Sequence, residues 1–177
     1  RETWDFTHIL FTDAWDALFI KPFGEIIKTY KAMGSPGFLH AAAIQRGNIH
    51  TDEFDVLFPP VTPFRYFGGG FIAEIPLVVD WFSRLDASNT HEGSTCYWEA
   101  WREGWFRPQL DVNCELFQTI EINGDESYCE LLGMGVFNKF TKTWPGILHF
   151  GGRVYVDPVT GKDRIIEPWA RALGIIK

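Results

Sequence analysis

The chain has 177 residues, a net charge of −7 and no basic run, which argues against nucleic acid or an anionic membrane surface as partner. Apolar residues make up 46% and charged residues 22%, a balance that supports one folded domain over residues 1–177 with a core of its own. No apolar run reaches the roughly 20 residues of a membrane-spanning helix, no secretory leader is visible, and the three isolated Cys fit a reducing compartment; the expected setting is cytoplasmic.

In chain order, Asp13 to Met33 reads as a helix. Trp15, Leu18, Phe19, Phe23, Ile26, Ile27, Tyr30 and Met33 recur at three- and four-residue steps. Thr12 can cap its start and Gly34 its end. Pro22 lies inside and predicts a kink or two shorter helices, because it lacks an N–H and clashes with the previous turn. Ser35-Pro36 then starts a short alanine-rich helix to about Arg46, with Gly47 as its stop. Residues 48–70 hold Pro59, Pro60, Pro63 and Gly68-Gly69-Gly70, and read as a long loop with some extended backbone. The triple glycine lacks the Lys-Ser/Thr of a phosphate loop and the spacing of a dinucleotide fingerprint, so it reads as a bend or hinge. A helix follows over 76–86, and another from Ser94 to about Glu103.

After Pro108 the pattern turns extended. Leu110 to Ile122 and Ser127 to Val136 read as strands about a tight turn at Asn123-Gly124-Asp125. Arg153 to Asp157 and Lys162 to Glu167 read as strands joined by Pro158-Val159-Thr160-Gly161. A short helix closes the chain at Pro168 to Leu173. Helices lead and antiparallel strands follow, so the expected fold is α+β, with N-terminal helices packed on a C-terminal antiparallel sheet. Sixteen Phe, eight Trp and five Tyr supply large rigid rings, which fill a core or wall an apolar pocket between the layers.

The densest chemistry lies in His91 to Trp105, HEGSTCYWEAWREGW. At 100° per residue, Tyr97, Trp98, Trp101 and Trp105 share one side, and Cys96, Glu99 and Glu103 the other. Cys96, in a helix's first turn, is a candidate nucleophile, although two nearby Glu raise a thiol's pKa. Glu99 is a candidate base. His91 and His50 are candidate proton shuttles. Tyr66, Trp98 and Trp101 would shape a substrate pocket. Each also has a plain structural reading: a solvated acidic face, a surface histidine, core aromatics. Around His50 the run NIHTDEFD has metal-ligand residue types but no metal-binding spacing, so no metal is assigned, and the sequence leaves the question of a cofactor open. His40 is expected to be buried. His149 alternates with Leu148 and Phe150, so its side chain points away from theirs.

TCYWEAW followed by CELFQTIEINGDESYCELLG resembles two related groups of small domains: 4-vinyl reductase-type hydrocarbon-binding domains and the L-2-amino-thiazoline-4-carboxylate hydrolase-like family. The likeness rests on Cys96, Glu99, Cys114, Gly124, Asp125 and Cys129; the first 90 residues do not share it. It implies an α+β domain enclosing an apolar pocket for a small cyclic or hydrophobic molecule. Three functions follow as expectations. The first is an enzyme with acid–base or hydrolytic chemistry on a small apolar or cyclic substrate. The second is a non-catalytic domain that binds or senses such a molecule. The third is a small subunit of a homo-oligomer or larger complex, with exposed aromatics as its interface.

Overall fold

The computed structural model describes residues 7–13, 16–44, 62–88, 100, 102–105, 107–121, 128–133, 135–151 and 166–177. The class is α+β, but strands run throughout the chain, so the expected order of helices first and sheet second does not hold.

The long helix expected from Asp13 is the first difference. Ala17–Phe19, within its first half, is a strand, and helix α1 covers only Phe23–Ala32. Pro22 sits at the N-cap with φ −56° and ψ 144°, a place where its missing N–H costs nothing. The proline therefore starts a helix instead of kinking one. At the other end the expected stop holds. Gly34, at φ 87°, donates to the Lys31 carbonyl and Ser35 to that of Tyr30, the paired bonds of a glycine-terminated helix.

Upstream of α1 lie β1 (His8–Phe11) and β2 (Ala17–Phe19). Downstream, the alanine-rich stretch expected as helix is strand β3 (Phe38–Ala43), buried along its whole length. Alanine favours helix by intrinsic propensity. Here its small side chain instead lets a second sheet approach closely, and packing overrides propensity. The end of the expected loop, with its three glycines, is strand β4 (Tyr66–Glu74), and α2 (Ile75–Ser88) follows directly. The helix expected over 76–86 is therefore present, beginning one residue before Pro76.

Sheet A has the order β1-β4-β3-β5, with β5 being Gln109–Leu110. It is antiparallel except for the β3–β5 pair. Sheet B has the order β2-β9-β6, with β6 at Phe117–Glu121 and β9 at Ile147–Gly151. Its β6–β9 pair is parallel, and β2–β9 antiparallel. The strand expected from Leu110 to Ile122 is interrupted: Asp111 accepts the N–H groups of Glu115, Leu116 and Phe117, and Cys114 takes a positive φ of 51°. The single return strand is two, β7 (Cys129–Leu132) and β8 (Gly135–Asn138), paired with each other about Gly133. Cys114 thus lies in a turn, and Cys129 pairs with Asn138. The turn at 123–125 and the strand at 153–157 lie outside the described residues. The expected strand over 162–167 is described only at its end, where Ile166 and Glu167 open helix α3 (Ile166–Ala172).

Alternation along the strands sorts the core into layers. Leu39, Ala41 and Ile72 of sheet A meet Phe117 and Ile147 of sheet B, with Ile26 and Tyr30 of α1 closing one end. On the far face of sheet A, Phe38, Phe71 and Ala73 pack on Val78, Trp81 and Leu85 of α2. On the far face of sheet B, Ile120, Leu148 and Phe150 pack on Leu173 beside α3. The layer sequence is α2, sheet A, sheet B, α3. Each fully buried Phe or Leu contributes about 1.5–3 kcal/mol. Among the described residues, no helix is long and apolar enough to cross a membrane.

Candidate functional site

Leu148 and Phe150 point into the outer core of sheet B. His149 therefore points inward, as alternation predicts. Its inward neighbours are its register partners Ala17 and Thr119 and, from sheet A, the glycines of β4. A Cβ on Gly69 would lie 2.1 Å from His149 Nε2, and one on Gly68 would lie 2.5 Å from Thr119 Oγ1. Gly70 takes a φ of 139° and passes close to the Phe11 carbonyl and the Phe117 ring. The triple glycine is thus no hinge. It is a stretch of strand kept free of side chains so that His149 and Thr119 can lie against its backbone.

Two carboxylates meet the imidazole there. Both come from the connection between β1 and β2. His149 Nε2 donates to Asp13 Oδ2 at 3.1 Å, and Asp16 Oδ1 lies 3.6 Å away. The Phe150 N–H donates to the Asp16 carbonyl, tying this connection to β9 beside the histidine. The His149 side chain is 6% exposed, that of Asp16 16% and that of Asp13 51%, so the cluster opens outward at Asp13. Burial alone would push the His149 pKa down. Hydrogen bonds and charge from Asp13 and Asp16 outweigh it and hold the imidazole up at about 9. The hydrogen bond from His149 holds the Asp13 carboxyl below its ordinary value against a smaller opposing effect of burial.

His40 lies on β3 with its ring among Phe38, Phe67 and Phe71. Burial pushes it down to about 4, so it is neutral, with Nδ1 donating to the Ala41 carbonyl. Phe11 stacks on Phe71 at 5.1 Å. Phe38 and Phe71 belong to the core between sheet A and α2.

Of the residues singled out from sequence, His50, His91, Cys96, Trp98, Glu99 and Trp101 lie outside the described residues. Tyr66 is buried at the start of β4 in a cluster with Ala42, Phe64, Phe67, Leu110 and Cys114, and Arg65 lies over its ring at 5.1 Å. Asp13, Asp16 and His149 were not expected as a group. Two signals pointed to them: a histidine alternating with apolar residues on a strand, and an Asp-x-x-Asp ahead of a proline that ends any helix reading. Their juxtaposition was invisible, since 136 positions separate Asp13 from His149.

Comparison with known proteins finds no family model that matches the chain and no curated protein similar to it.

Proposed function

We propose that the protein is a small-molecule enzyme whose acid–base or hydrolytic chemistry is centred on Asp13, Asp16 and His149. One observation carries the reading: two carboxylates of the β1–β2 connection and a histidine 136 positions away have atoms within 4.8 Å of one another, against a strand stripped of side chains to admit them. Such convergence costs desolvation, and charged groups gathered in this way are a mark of catalytic sites. Asp13, half exposed, is the member that faces an incoming molecule. His149 and Asp16 are fixed behind it, where they would position Asp13, and the protonated His149 would bear negative charge developing on a carbonyl oxygen. The sequence likeness to hydrocarbon-binding and hydrolase-like domains favours an apolar or cyclic substrate.

The test is turnover of small ring-bearing esters, lactones and lactams, with phenyl acetate and δ-valerolactam as first probes. His149→Gln should lower turnover by about 100-fold or more, the usual size of an acid–base contribution. Equal turnover in His149→Gln, or none with any probe, would overturn the reading.

A second reading, a non-catalytic binder of apolar molecules, is favoured by a cavity of about 620 Å³ lined by Leu10, Phe19, Phe23, Ile27, Tyr30 and Ile72. Saturable binding of a naphthalene sulfonate dye, weakened by Phe19→Ala while turnover stays absent, would support it instead.

A further inference from the structure

We propose that Asp13, Asp16 and His149 bind a divalent transition-metal ion, with one nitrogen and two carboxylate ligands from the protein and its remaining positions open towards the Asp13 side. The proposal rests on the enzyme reading for what the ion would do there; whether the ion binds is a separate measurement.

An ion held at about 2.0–2.2 Å from each donor sets neighbouring donors roughly 3.0–3.5 Å apart. His149 Nε2 lies 3.1 Å from Asp13 Oδ2 and 3.6 Å from Asp16 Oδ1, and all three ligand atoms lie within 4.8 Å of one another, so a small inward movement of the carboxylates closes the set around an ion that displaces the Nε2 proton. Three protein ligands with one side exposed is the arrangement of sites that keep a position for water or substrate. A nitrogen donor among carboxylates favours zinc, cobalt, iron or manganese over calcium and magnesium, which prefer oxygen alone.

A second observation is independent of the acidic residues. Thr119 is 1% exposed and its hydroxyl has no hydrogen-bond partner among the described residues. It is the register partner of His149 and lies against Gly68, as His149 lies against Gly69. Asp16 Oδ1, also buried, faces His149 Nε2 at 3.6 Å, longer than an ordinary hydrogen bond. A buried hydroxyl left without a partner is costly. An ion with bound water gives the carboxylate oxygen a direct bond and brings a partner to the hydroxyl. Gly69 completes the fit, because any side chain there would displace the imidazole.

The experiment is titration of the chelator-stripped protein with Co²⁺ and Zn²⁺, followed by calorimetry and by the visible absorption of bound Co²⁺. We expect one ion per chain, weakened by about tenfold or more in His149→Gln and in Asp13→Asn. Asp13 is half exposed, so its variant reports on the site even if His149→Gln fails to fold. No binding by the parent protein, or undiminished binding in Asp13→Asn and His149→Gln, would overturn the metal site. His149-dependent turnover that survives chelator, with no Co²⁺ bound, overturns the metal site and leaves the enzyme standing. Co²⁺ binding lost in Asp13→Asn, with no turnover of any probe, supports the metal site and overturns the enzyme.

Discussion

His40 and Asp111 are buried titratable groups whose effects on stability oppose each other. Burial pushes His40 down to about 4, so the folded protein refuses a proton that the unfolded chain accepts near pH 6.5. Stability from His40 is present above pH 6.5 and is lost as pH falls towards 4, by about 3 kcal/mol in all. Burial pushes Asp111 up to about 6 against three backbone N–H bonds that favour its charge. Its contribution is present below the ordinary carboxylate value and is lost as pH rises through 6. The sum over pH 4–6.5 is therefore shallow, and only a difference isolates either residue. Urea unfolding at several pH values should show His40→Gln gaining stability relative to the parent protein as pH falls from 6.5 to 4. An unchanged difference across that range would show that His40 is not held neutral. At this scale the sequence was informative about burial and silent about partners. His40 was expected to be buried and is. His149 was expected to turn away from Leu148 and Phe150 and does. Neither expectation says what a side chain meets, because Asp13 reaches His149 only through the pairing of β2 with β9.

The elements show where local preference yields to packing. Helix periodicity correctly marked α1 from Phe23 onward, and Gly34 correctly marked its end. Upstream of Pro22 the same spacing failed at Leu18 and Phe19, which lie in β2, since a few apolar residues fit a helix face and a short strand alike. β3 failed for the opposite reason: Phe-Leu-His-Ala-Ala-Ala is a good helix sequence placed where two sheets need a thin strand between their rings. Ala41 is fully buried, facing sheet B with Leu39 and Ile72. Ala41→Leu, conservative for a helix, should therefore cost about 1–3 kcal/mol as overpacking. Thermal or urea unfolding checks this, and an unchanged midpoint would mean that sheets A and B are less closely joined at β3 than described. The glycines of β4 misled in the same way. They signal a close approach by Thr119 and His149, whereas a lone sequence reading offers only a bend.

Across the whole molecule, stability should be graded from the centre outwards. β3 is buried at all six positions, and β4 is bonded on both sides, to β1 and β3. The β7–β8 pair is a separate two-stranded unit whose Glu130, Leu131 and Leu132 are exposed. Amide hydrogen exchange should be slowest in β3 and in the Phe71–Ala73 part of β4, approaching the free energy of global unfolding, and clearly faster in β7 and β8. Equal protection in both regions would contradict the layered core. The fold class was legible in composition and patterning; the order of layers was not, because it depends on which distant strands pair.

The pairing of β2 with β9 has a consequence for how the protein is made. At roughly 5–20 residues per second, the 136 positions from Asp13 to His149 take a ribosome roughly 7–27 s to translate. Throughout that interval Asp13 and Asp16 belong to a nascent chain whose third member does not exist. The polar cluster cannot form on the emerging N-terminal half, so any chemistry it performs is withheld until most of the chain has left the ribosome.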